Sequence, residues 1–150
     1  MPSPRRIANA IAVRRFAVAG EPGREVVLTL GKPRPDPRPG GDWACSVLIE
    51  GIPKERRRRI YGVDAIQALQ LALAYARREL DASGLALTWL DPHAPGDIGL
   101  PFSAPDGYGL AFQQRIEHYI ERRKLEMASA VTSVLQERAR RRAHRAEPKE

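Results

Sequence analysis

The residues best suited to chemistry in this chain are few and scattered. Asp91-Pro92-His93 and Asp97 bring two carboxylates and an imidazole into one short loop. Such a trio can hold a metal ion or exchange protons, but it also describes an ordinary solvated turn, which is the simpler expectation. The three histidines, His93, His118 and His144, stand far apart, and none has a second His or Cys at metal-ligand spacing. Cys45 is the single cysteine. It alternates with Trp43 and Val47 on an apolar strand face, where a thiol is inert. One cysteine excludes an internal disulfide and a cysteine-based metal cluster, and it suits a reducing compartment. Gly107-Tyr108-Gly109 ahead of a helix lacks the strand and third glycine of a phosphate-binding turn, so it reads as a helix start. No serine sits in a nucleophile elbow. The expectation is a protein that is not an enzyme and needs neither a cofactor nor a metal.

The arginines carry a stronger signal. Net charge is +7 and the isoelectric point about 10.2. Lys32, Lys54, Lys124 and Lys149 are the four lysines among 25 basic residues; the other 21 are arginines. Part of this excess fits a general compositional bias, since Ala, Pro and Gly are abundant too. Two clusters stand out. Residues 54–59 include Arg56, Arg57, Arg58 and Arg59, and residues 137–145 include Arg138, Arg140, Arg141, Arg142 and Arg145. Guanidinium forks match phosphate oxygens and can grip a nucleic-acid backbone without reading sequence. The tail lacks the interleaved aromatics of a single-strand binder.

The elements that must carry these residues follow from periodicity. A chain of 150 residues makes one domain with polar remainder. Residues 1–10 read as a flexible arm, 11–105 as an α+β domain and 106–150 as a long helix with a basic tail. Period-two alternation predicts strands over 11–19, 25–31 and 43–52, the last with Trp43, Cys45, Val47 and Ile49 on one face. Glu21-Pro22-Gly23 joins the first two as a hairpin. Lys32 to Gly41 holds four prolines and is expected to be an exposed basic loop, neither strand nor helix. Residues 54–59 are expected to turn into a fourth strand at Ile60 and Tyr61.

A helix over 64–82 is the clearest element. Asp64 is its N-cap, Gln67 completes a capping box, and Gly84 ends it. Ile66, Leu69, Leu73, Ala76 and Leu80 form its apolar face. Leu85 to Leu90 reads as a short fifth strand. Residues 110–143 form a long helix with Phe112, Ile116, Ile120, Met127, Val131 and Val134 as an intermittent apolar stripe. It would reach ~50 Å, longer than the domain is wide. Ile120, Met127 and Val134 repeat every seven residues, but Arg123 and Lys124 lie near the same seam. The fold is therefore a four-stranded antiparallel meander packed by one amphipathic helix, a short fifth strand and a long C-terminal helix.

The block Tyr61-Gly62-Val63-Asp64-Ala65-Ile66-Gln67-Ala68-Leu69-Gln70-Leu71-Ala72-Leu73, with Leu87-Thr88-Trp89-Leu90 and Gly99-Leu100-Pro101-Phe102, resembles a family of small bacterial proteins of unknown function. Ile11 to Phe16 and Gly31 to Asp36 are similar to it as well. The resemblance spans about residues 7–105 and implies a shared fold and no catalytic role.

Apolar stretches fall far short of the ~20 residues of a membrane helix, and Arg14 and Arg15 interrupt any N-terminal signal run. The expected setting is the cytoplasm. The expected function is binding of an unidentified macromolecule, with no membrane contact. A protein partner in an accessory or immunity-type role comes first and nucleic acid second, and the C-terminal helix could pair with a second copy.

Overall fold

A computed structural model describes residues 7–38, 40–102 and 108–146, with side chains described as far as 141. The arm expected at 1–10 lies largely outside the described residues. The chain divides into two units, Met1–Ser103 and Ala104–Glu150.

The first unit is an α+β domain with an antiparallel sheet of six strands: β1 (Ala10–Val18), β2 (Glu25–Gly31), β3 (Arg34–Pro35), β4 (Trp43–Glu50), β5 (Arg56–Gly62) and β6 (Leu87–Thr88). β4 pairs β5 along one side and β2 with β3 along the other; β1 follows β2, and β6 closes the far end. Helix α1 (Ala65–Ala82) lies between β5 and β6 in sequence and packs against β4 and β5.

Alternation decides which side chains meet the helix. Phe16, Val18, Val26, Leu28, Leu30, Cys45, Val47 and Ile49 point one way and form the core with Ala68, Ala72, Ala76 and Leu80. The helix begins as its sequence demands. The Asp64 carboxylate accepts the Gln67 backbone N–H at 2.7 Å, and the Gln67 side-chain oxygen accepts the Val63 N–H at 2.8 Å. Gly84 follows the last turn with φ +70°, the left-handed geometry that glycine adopts without a Cβ penalty.

Three expectations need correction. The buried stripe of α1 is built on alanines, and Ile66 is 69% exposed while Leu69 and Leu73 are only partly buried. Small side chains let the helix axis approach the sheet; a Cβ on Gly62 would run into the Ala68 backbone nitrogen. Second, the arginine run does not form a turn. Arg56 to Arg59 belong to β5, which pairs seven residues deep with β4. Third, the proline-rich segment contains a two-residue strand, Arg34 pairing Ala44 and Pro35 pairing Trp43. So short a ladder tolerates a missing proline donor, and the segment folds back so that Asp36 is buried.

β5 is an edge strand, paired only with β4 among the described residues. Four consecutive arginines suit that place, because like charges discourage edge-to-edge pairing with another copy.

The second unit is helix α2 (Leu110–Ala146), 37 residues long. The Gly109 carbonyl accepts the N–H groups of Phe112 and Gln113 as it starts. No helix among the described residues is long and apolar enough to cross a membrane.

Candidate macromolecule-binding surfaces

Alternation splits the arginines of β5 between two faces. The partners of Arg56 and Arg58 on β4 are Ile49 and Val47, which are core residues. Arg56 and Arg58 therefore stand on the helix side. Arg57 and Arg59 pair with Leu48 and Ser46 on the opposite face. Arg56 is engaged within the fold. Its Nε donates to the Glu79 carboxylate at 2.5 Å, which ties the edge strand to α1, and Arg78 approaches the other Glu79 oxygen at 3.5 Å. These bonds, the one from Arg56 first, lower the Glu79 pKa. Arg57 and Arg58 are exposed and form no ion pair among the described residues.

Arg59 belongs to a cluster that local sequence reading does not find. Its Nη2 lies 3.4 Å from the Asp36 carboxylate. The Asp36 side chain is only 3% exposed. One carboxylate oxygen accepts the Arg38 backbone N–H at 2.9 Å and its Nε at 3.0 Å; the other accepts Arg38 Nη2 at 3.2 Å. These bonds, with the charge of Arg59 beside them, hold the Asp36 carboxyl at about 2. It stays ionised at neutral pH. The guanidiniums of Arg38 and Arg59 both flank the Tyr61 ring, 4.8 and 5.7 Å from its centroid. Arg34 shares this face, since it pairs Ala44, which pairs Tyr61. The available signals were the alternation of residues 56–62 and the Asx-turn spacing of Asp36 and Arg38. The register that joins them is a tertiary fact.

In α2, Arg138, Arg140 and Arg141 are exposed, and Arg141 donates to Glu137 at 2.8 Å. The side chains of Arg142 and Arg145 lie outside the described residues. At 100° per residue, Phe112, Ile116, Ile120, Met127, Val131 and Val134 fall within a ~100° arc. Phe112, Ile120, Met127, Val131 and Val134 are exposed. Arg123 lies in the same arc but is drawn to Glu126 at 2.6 Å.

Asp91, Asp97 and Cys45 make local contacts within the fold, while Gly107 and the side chain of His144 lie outside the described residues. The Asp91 carboxylate accepts the His93 N–H at 2.8 Å and Asp97 accepts the Gly99 N–H at 3.1 Å, both closing turns. Cys45 donates to the Gly31 carbonyl at 3.3 Å, and burial pushes its thiol pKa up. Among the described residues no three or more His, Cys, Asp or Glu side chains converge to hold a metal ion. Arg14 and Arg77 hold the loop that follows β6. Arg14 Nη1 donates to the Ile98 and Gly99 carbonyls at 3.1 and 2.7 Å, and Arg77 Nη1 to that of Leu100 at 2.6 Å.

Residues 12–102 match the model of a domain family of unknown function, DUF6968. No curated protein and no solved structure matches the chain.

Proposed function

We propose that this chain, which belongs to the DUF6968 domain family, is a non-catalytic cytoplasmic binding protein that recruits a protein partner through α2, in an accessory or immunity-type role. The exposed apolar stripe of α2 carries this reading. A helix of 37 residues with Ile120, Met127, Val131 and Val134 exposed along one arc is built to lay that arc in another protein's groove. Each large side chain buried there contributes about 1.5–3 kcal/mol before the costs of association. Arg122 and Arg123 share Glu126, and Lys124 pairs with Glu121; Arg123, which lies within the arc, is drawn aside by that pair and is expected to stay at the solvated rim of the contact. A binding role is further supported by a Cys45 thiol that burial keeps protonated and by Asp91 and Asp97 carboxylates committed to backbone turns.

The test is cross-linked capture from the native host with wild type and with Ile120→Glu/Met127→Glu. Glutamate keeps helix propensity while charging the arc. Wild type should recover one stoichiometric protein, reduced at least tenfold by the double variant. Equal recovery would sink the reading. A partner identified as a second copy of this chain, seen as a concentration-dependent dimer by light scattering, would replace it with self-association.

A further inference from the structure

We propose that a second surface, the sheet corner formed by Arg34, Arg38, Arg57 and Arg59 around Tyr61, binds the phosphodiester backbone of single-stranded nucleic acid. This goes beyond the α2 reading and does not depend on it. The register builds the corner. Arg34, Ala44 and Tyr61 form one row across β3, β4 and β5; Ser46 and Arg59 form the next, and Leu48 and Arg57 the next. Arg57 and Arg59 therefore stand ~7 Å apart on one face, comparable with successive phosphates on an extended single strand.

The corner is organised before any ligand arrives. Buried Asp36 orients the Arg38 fork through its Nε and Nη2 and touches Arg59 through one Nη2. The Tyr61 ring supports both guanidiniums from behind. Even so, the two side chains remain 67% and 54% exposed, and their other N–H groups are not engaged by Asp36. Fixing an arginine in advance removes the ordering cost that weakens a surface ion pair. Arg57 and Arg34 add exposed forks with no ion pair among the described residues. Two guanidiniums, Arg38 and Arg59, thus share one carboxylate, and Arg34 and Arg57 extend the same face on either side of them. The nearest other acids bound the surface. Asp42 lies close enough to act on Arg38, Glu50 stands one row beyond Arg57 on the same face, and Glu55 immediately precedes β5, two residues before Arg57. The anion is expected to follow β5 toward β3 and not to cross to β1.

Phosphate is favoured over an acidic peptide for two reasons. Planar forks bind phosphate oxygens in pairs. They also project from the face of the sheet, whereas an added peptide strand would pair at its edge. A single strand is favoured over a duplex because its backbone can bend to follow the corner from β5 to β3, whereas a duplex carries its phosphates on a stiff rod.

The test is fluorescence anisotropy with a labelled oligothymidylate, titrated at several salt concentrations with the full chain. Wild type should bind at low salt. Arg34→Ala/Arg57→Ala removes exposed side chains that bear no ion pair and should weaken binding about tenfold. The slope of log affinity against log salt should fall by about 0.7 for each phosphate that is no longer neutralised. Asp36→Asn should weaken binding with the slope less affected, because it frees the guanidiniums without removing them. Absence of a complex at low salt would overturn the proposal. So would an unchanged salt slope in Arg34→Ala/Arg57→Ala while Arg138→Ala/Arg140→Ala/Arg141→Ala abolishes binding. Stronger binding of labelled polyglutamate than of the oligonucleotide would replace nucleic acid with an acidic protein.

Discussion

The Arg14 guanidinium lies over the Trp89 ring, 3.9 Å from its centroid, and joins β1 to the segment after β6. The ring also abuts Gly99, where φ is +59° and where a Cβ would overlap the indole. The same Arg14 donates to the Ile98 and Gly99 carbonyls. Leu87 to Leu90 and Gly99 to Phe102, two stretches set apart in the sequence, are thus the halves of one clasp. It seats Ile98 and Leu100 in the core.

Arg14→Ala should destabilise the domain by about 1–3 kcal/mol, the sum of a cation–π contact and charge-assisted bonds to carbonyls. Arg14→Lys should recover part of that loss. Gly99→Ala should be worse than its size suggests, because it combines a left-handed backbone with a displaced ring. Urea denaturation followed by tryptophan fluorescence measures all three.

Asp36 makes stability depend on pH in a defined window. Its folded pKa of about 2 lies below the ordinary 3.8. The stabilisation it provides is therefore complete above about pH 5 and is lost as pH falls through about 4 toward 2. Asp36→Asn should lower Tm at pH 7, and the gap to wild type should narrow steadily over that acid range. A gap that stays constant down to pH 2 would contradict the assignment.

The alanine seam of α1 gives a contrast between two residues of one helix. Ala72→Leu should cost about 1–3 kcal/mol or more by overpacking a fully buried site. Ile66→Ala, at a position 69% exposed, should change stability by no more than about 0.5 kcal/mol. Chemical denaturation of the two variants decides it.

That contrast shows what is legible in the sequence. The Asp64 cap, Gly84 stop and even-numbered core faces of β2 are local patterns, and they appear where alternation and capping chemistry place them. The helix face is misjudged because periodicity weights Ile66 and Leu69 by hydrophobicity. The sheet selects by closeness of approach, which Gly62 and Ala68 reveal only once they meet. Arg56 to Arg59 hide a strand because charge suggests a turn. An edge strand needs charge, and only its pairing with β4 discloses the edge. The Asp36, Arg38, Arg59 and Tyr61 cluster spans two segments joined by register, so no local window contains it.

The edge role of β5 can be tested separately from binding. Arg57→Thr/Arg58→Thr keeps β propensity and removes two exposed charges. Tm should be nearly unchanged, while light scattering on mild heating should show earlier and concentration-dependent association.

The most direct measurement is site-specific photocross-linking from α2 in the native host. A photoreactive residue at Met127 lies in the centre of the apolar arc. One at Leu125, also exposed at 71%, points to the opposite side of the helix. Recruitment through the arc predicts a discrete cross-linked protein from position 127 and none from 125. Equal adducts from both positions, or adducts from 125 alone, would contradict it.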